Sequence, residues 1–171
     1  DILEKDDEKL KQTFAKQVED FKNAEKLARI LMKRRERRGA IDFDFPEAKI
    51  ILNREGKVVD IKCYERRISN KMIEEFMLVA NETVAEHFYW LQLPFVYRIH
   101  ETPSAEKMED LNKFIATFGY HIKGDLEDVH PKEIQSLVEK IKGTKEEEST
   151  STIALRSMKQ AKYSPQCIGH F

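Results

Sequence analysis

The apolar positions of the chain change their period as the sequence proceeds, and each change marks an element. Between residues 5 and 38, Leu10, Phe14, Val18, Phe21, Ala24, Leu27, Ala28 and Leu31 recur at gaps of three and four. That spacing predicts one long helix, or two joined near Asp20 to Asn23. The stretch closes on Lys33, Arg34, Arg35, Arg37 and Arg38 followed by Gly39, basic residues that complement a helix C-terminus and a glycine suited to the position after the cap. From Ala40 the period falls to two. Ile41, Phe43 and Phe45 alternate with Asp42 and Asp44, then Ile50 to Leu52 and Val58, Val59 and Ile61 flank a turn at Asn53 to Gly56, the pattern of a β-hairpin or short meander.

Helical period returns from Arg66 to Trp90, the stretch the rest of the chain is organised around. With successive residues about 100° apart, Met72, Ile73, Phe76, Val79, Ala80, Val84 and Leu91 form one apolar stripe, expected to face a core. Along its border stand Asn70, Glu74, Met77 and Asn81, at spacings of four, three and four. A carboxylate between two carboxamides beside a buried face is suited to hydrogen bonding into a cleft; it is also what the solvated border of any amphipathic helix looks like. Leu93 to Ile99 reads as a strand, and Thr102-Pro103-Ser104 as a turn into a helix running to about Phe118, with Met108, Leu111, Phe114 and Ile115 inward and Gly119 at its end. Residues 120–128 connect to a helix from Pro131 through Ile141, with Ile134, Leu137, Val138 and Ile141 on one face. Residues 143–152 (GTKEEESTST) read as a solvated loop, and a last helix from Ser151 to Tyr163 carries Ile153, Leu155, Met158 and Ala161. The expected fold is therefore α+β, mostly helical, with a short antiparallel hairpin or meander.

Composition narrows the function classes. At 171 residues the chain is one domain by length and long enough to bury a core. Charged residues are 36 % of it, but 30 basic side chains nearly cancel 31 acidic ones, so any polyanion-binding surface must be local, and the basic run before Gly39 is a place for phosphate contacts as well as a helix end. No apolar run approaches the ~18 residues of a membrane span, the acidic start is unlike a secretory signal, and the cytoplasm is the default compartment. Cys63 and Cys167 have no metal-ligand spacing. Asp42 and Asp44 share a face of the expected strand, as a hard-cation pair or as its solvated side; Phe43 and Phe45 are core residues or base-stacking aromatics. The histidines (His87, His100, His121, His130, His170) are scattered, and there is no glycine-rich phosphate loop, zinc pair or nucleophile elbow. The start without Met and the stop at CIGHF read as cut ends of a longer protein.

Three segments carry more. RRGAIDFDFPEAKI, RRISNKMIEEFMLVANETVAEHF with PFVYRIHETPSAEKMEDL, and LRSMKQAKYSPQCIGHF together resemble, in order and from about Leu27 to Phe171, the RNB catalytic domain of the ribonuclease II family of processive bacterial 3′→5′ exoribonucleases, and LRSMKQAKYSP is closest to the ribonuclease R branch. The resemblance implies hydrolysis of single-stranded RNA to nucleoside 5′-monophosphates by Mg²⁺-activated water, in a parent that acts as a monomer. It also implies that the Mg²⁺-binding aspartates lie upstream of residue 1 and the supporting arginine motif downstream of Phe171. The chain would then be the middle of the domain, with no catalytic or metal residue of its own, no cofactor, no activity in isolation and a tendency to self-associate. Carried over residue by residue, Phe43 matches the aromatic that stacks on the 3′-terminal base, with Phe45 its rival. Glu74 matches the carboxylate tied to RNA-over-DNA choice, with Glu75 the fallback; Asn70 and Asn81 share its helix edge. Arg98 and His100 match a segment near the RNA channel, and His170 opens a turn near the active site; structural roles for all three stay open. Asp42 and Asp44 do not match the catalytic aspartates. A non-catalytic RNA-binding or adaptor module is the alternative, and a purely helical interaction protein is disfavoured by the period-two stretch.

Overall fold

The computed structural model describes residues 1–43, 45 and 47–171. Its elements run α1 (Glu8–Thr13), α2 (Val18–Arg38), β1 (Ala48–Leu52), β2 (Val58–Cys63), α3 (Ile68–Leu91), β3 (Tyr97–Ile99), α4 (Ala105–Ala116), α5 (Pro131–Ile141), α6 (Glu147–Ser157) and β4 (Lys162–Ser164). The fold is α+β and mostly helical, as the periodicity implied. The chain divides into two compact units, Asp1–Arg34 with Asp44–Asn81, and Arg35–Phe43 with Glu82–Phe171.

In the first unit the N-terminal helix breaks earlier than the sequence suggested. Asp7 caps α1 by accepting from Lys9 and Leu10 N–H at 3.0 and 3.1 Å. The Phe14 carbonyl then takes both the Gln17 and Val18 N–H groups, a tightened turn that separates α1 from α2 before residue 20. The hairpin of β1 and β2 is antiparallel from Ala48↔Cys63 to Leu52↔Val58. Its turn is fixed by Asn53, whose side-chain oxygen accepts from Glu55 and Lys57 N–H at 3.0 and 2.9 Å, an Asx-type turn. Of the expected strand, Ile41, Asp42, Phe43 and Phe45 do not lie in a strand. Alternation specifies a strand only where another strand's backbone is alongside. Asp42 is exposed, and Asp44 lies outside the described residues.

The second unit holds the core. Met108, Leu111 and Ile115 of α4, Ile134, Leu137 and Ile141 of α5, Ala154 of α6, and Ile122 and Val129 of the connection are buried together. Ser104 caps α4; His130 caps α5 by accepting from Lys132 N–H at 3.1 Å, ahead of Pro131 at the first helical position. Helix α6 begins inside the stretch expected to be a solvated loop and stops at Ser157, so Lys162 and Tyr163 are strand and not helix. Its packed face is Thr150, Ser151, Ala154 and Ser157. Small side chains let α6 approach α4 and α5 closely, and such a face is invisible to an apolar-periodicity reading.

Residues 35–43 dock on this core. Gly39, at φ +99°, ends α2 in a Schellman motif: Ala40 N–H reaches the Arg35 carbonyl and Gly39 N–H the Glu36 carbonyl, at 3.2 and 2.9 Å. Gln135 of α5 donates its amide to the Glu36 and Ala40 carbonyls at 2.9 and 3.0 Å. Ile41 and Phe43 then pack against the buried cluster.

The apolar stripe of α3 is not a covered face. Met72 is buried, but Ile73 is 58 % exposed, and Val84 and Leu91 are also exposed. A helix's own sequence decides which face is apolar; it does not supply the element that would lie over it.

Candidate functional site

The start of α3 presents the predicted polar edge. Arg66 donates from Nε to both carboxylate oxygens of Glu74, at 3.1 and 3.0 Å, and its Nη2 contacts Glu74 Oε2 as well. Both side chains are part exposed. Glu75, by contrast, is 4 % exposed, so of the two adjacent carboxylates Glu74 is the one available to a ligand from solvent. Asn70 is engaged locally: its oxygen accepts from Arg67 N–H at 3.1 Å, satisfying a free amide at the helix start, and its nitrogen donates to the Tyr64 hydroxyl at 2.8 Å. Ile68 N–H is taken by Glu4 at 3.0 Å. Asn81, further along the same helix, is exposed.

Within the second unit the structure brings Arg98, His100 and His170 together. β3 pairs antiparallel with β4, placing Tyr97↔Ser164, Arg98↔Tyr163 and Ile99↔Lys162 opposite one another. Tyr97 and Ile99 turn inward at 7 % and 3 % exposure, and Arg98 outward, by the ordinary alternation of a strand. Burial raises the Tyr97 phenol above its usual value of 10.0. The next residues continue as a bridge between His100 and His170: His100 N–H donates to the Gly169 carbonyl at 3.2 Å, and Phe171 N–H to the His100 carbonyl at 2.9 Å.

Both imidazoles hold backbone. His170 Nδ1 is 3.1 Å from the Arg98 carbonyl, and His100 Nε2 contacts the Lys159 carbonyl. A carbonyl oxygen only accepts, so His170 carries a proton on Nδ1 and His100 on Nε2. The two rings meet edge to face at 5.4 Å. Around them, Glu101 accepts from Lys162 at 2.8 Å and lies 3.5 Å from Lys159. The Lys162 hydrogen bond holds the Glu101 carboxyl below its usual 4.5. Arg98 lies over the Tyr163 ring, 5.4 Å from its centroid.

Phe43 is half-buried against the core of its unit, and Phe45 is half-buried as well. Sequence reasoning did not single out Arg66, Tyr64, Glu101, Lys159, Lys162 or Tyr163. Of these Arg66 and Tyr64 are local to the start of α3, eight residues before Glu74 and six before Asn70; Glu101, Lys159, Lys162 and Tyr163 are brought near Arg98 and His100 by the β3–β4 pairing. Among the described residues no three His, Cys, Asp or Glu side chains converge to hold a metal ion, and no helix is long and apolar enough to cross a membrane.

This mostly helical α+β architecture belongs to a known structural class. It superposes on the Mycoplasma genitalium RNase R solved with ribose-methylated single-stranded RNA, with a TM-score of 0.85 and 27 % identity, over 90 % of this chain and 24 % of that one. The same enzyme solved with double-stranded RNA gives a TM-score of 0.84 at 28 % identity, over 88 % and 27 %. The chain belongs to the RNB domain family, whose pattern matches residues 1–171. Ribonuclease R 1 of Lactococcus lactis is 47 % identical over 96 % of the chain and 20 % of its own length. Ribonuclease R of Aquifex aeolicus is 41 % identical over 96 % and 23 %, and that of Escherichia coli 34 % over 96 % and 20 %. The chain thus spans about a fifth of the length of the curated relatives it matches.

Proposed function

We propose that the chain is the middle portion of the catalytic domain of a cytoplasmic, monomeric, processive 3′→5′ exoribonuclease that hydrolyses single-stranded RNA to nucleoside 5′-monophosphates with Mg²⁺. The observation that carries this reading is the end-to-end match to the RNB family, joined to relatives named ribonuclease R that align with 96 % of the chain. RNA as the substrate is supported by the solved RNase R complexes with RNA.

Among the described residues no set of His, Cys, Asp or Glu side chains gathers to hold the Mg²⁺ that the family implies, and no step through the metal is assigned to this chain's side chains. Their part is to hold RNA. Glu74 offers a carboxylate at a part-exposed helix edge, suited to accept a hydrogen bond from a ribose 2′-hydroxyl, the group that separates RNA from DNA. The Arg66 clamp holds that carboxylate in one orientation. Phe43 stacks on the terminal base in this reading, and its seat on the core holds the ring half-buried. Asn70 and Asn81 in the first unit, and Arg98, His100 and His170 in the second, are further residues that touch RNA in this reading; the two histidines act through the backbone they hold as much as by touching RNA.

The test compares the intact parent protein with residues 1–171 alone, on a labelled single-stranded RNA with and without Mg²⁺. The parent should release nucleoside 5′-monophosphates from the 3′ end only with the metal, and the segment should release none. Digestion by the segment alone, or a parent that binds RNA without cutting it, refutes the proposal; the second result is that of a binding module.

A further inference from the structure

The outer face of the β3–β4 pair carries a largely exposed aromatic. Tyr163 is 70 % exposed, although a ring of that size gains most by being covered. Its direct partner across the ladder is Arg98, which lies over the ring at 5.4 Å. Among the described residues no carboxylate pairs with Arg98, whereas both nearby lysines, Lys159 and Lys162, share Glu101. The guanidinium therefore keeps its donors available while one ring face of Tyr163 is cationic and the other is open.

The backbone beneath is fixed on both sides. β4 pairs with β3 along one edge, and on the other His170 holds the Arg98 carbonyl while Gly169 and Phe171 bond to His100. Tyr97 and Ile99 anchor the strand from below. The backbone that carries ring and guanidinium is thus held in place before any ligand arrives, which lowers the ordering cost of binding. Three cations against one carboxylate make the surroundings positive.

We propose that Tyr163 and Arg98 form a base-stacking platform for single-stranded RNA, in which a nucleobase lies on the open face of the Tyr163 ring and the adjoining phosphate is met by Arg98. Stacking on an aromatic beside a cation is sequence-tolerant. This rests on the exoribonuclease reading above and adds Tyr163 to its substrate-holding residues.

The test uses the intact parent. Binding of a short single-stranded RNA is measured without divalent metal, and KM and kcat with it, for the unmodified protein, Tyr163→Ala, Tyr163→Leu, Tyr163→Phe and Arg98→Ala. Loss of one stacked base should weaken binding by about 5- to 150-fold in Tyr163→Ala, with KM raised and kcat unchanged. Tyr163→Phe, which keeps the ring, should stay within about twofold. Arg98→Ala should reduce the slope of log K against log salt by about one. Tyr163→Leu keeps apolar cover without a stacking face and decides the matter if Tyr163→Ala does not fold. Unchanged RNA affinity in Tyr163→Leu or Tyr163→Ala overturns the platform, as does a Tyr163→Phe protein as weak as Tyr163→Ala. A parent that never engages RNA instead overturns the exoribonuclease reading itself.

Discussion

Gly39 and Gly119 offer a matched measurement of how residues 35–43 are seated. Both are glycines of positive φ, +99° and +82°, just past a helix end, and both close a Schellman motif, since Tyr120 N–H reaches the Ile115 carbonyl as Ala40 reaches Arg35. They differ in what a side chain would meet. A Cβ at Gly119 finds nothing within 4 Å, whereas one at Gly39 would stand 2.9 Å from Lys132 Cγ and 3.0 Å from the Lys132 backbone nitrogen. Left-handed backbone costs an alanine about 1–2 kcal/mol, offset by about 0.4–1 kcal/mol through the stiffer unfolded chain, so Gly119→Ala should destabilise by roughly 1 kcal/mol. Gly39→Ala carries that cost and a forced contact with the first turn of α5, of the order of 1–3 kcal/mol as in other overpacked sites. Its total is about 2–4 kcal/mol. Urea unfolding followed by circular dichroism measures both variants. Equal losses would refute the close seating of the α2 end on α5, and with it the route by which Phe43 is held.

In the parent enzyme, Glu74→Ala should erode discrimination against DNA more than it slows RNA turnover, read as the ratio of kcat/KM on matched RNA and DNA strands. Its effect on stability should stay below about 1 kcal/mol because the Arg66–Glu74 pair is part exposed. Phe43→Ala should weaken the hold on the last nucleotide by about 1–3 kcal/mol, seen as longer end products, and also lower the melting temperature because the ring packs on the core; a larger change in end products from Phe45→Ala would transfer the stacking role. Glu101 has a folded-state pKa below its usual 4.5, so its bridge to Lys162 contributes above that value and is lost as the pH falls through the lowered one. The carboxyl resonance of Glu101, followed by NMR, should titrate below 4.5 in the folded chain, and Lys162→Ala should move the midpoint upward.

The candidate site was legible in pieces. Asn70 and Glu74 sit where a helical wheel put them, at the border of α3, because i and i+4 positions share a face whatever the rest of the protein does. The same wheel could not foresee that Asn70 would spend its amide on Arg67 and Tyr64, since that depends on how the chain enters the helix. Arg98, His100 and His170 were picked out by resemblance, yet their partners Tyr163, Lys159 and Glu101 were not. More than 50 residues separate the two strands that bring them together, and no local pattern spans such a gap.

What the sequence determined by itself was local. Pro131 to Ile141 is the helix its apolar spacing and N-terminal proline specify, Gly39 closes α2, and Asn53 to Gly56 turns the hairpin, because those signals act through backbone dihedrals and bonds a few residues long. What the tertiary structure alone decided was pairing and cover. Ile41 to Phe43 alternates without becoming a strand, Lys162 and Tyr163 join one despite a helical spacing, and Thr150 and Ser151, in a stretch that read as a solvated loop, are buried on α6. The apolar stripe of α3 is encoded in full and still partly exposed. Hydrogen-bond ladders and burial are properties of two surfaces, and one stretch of sequence specifies only one of them.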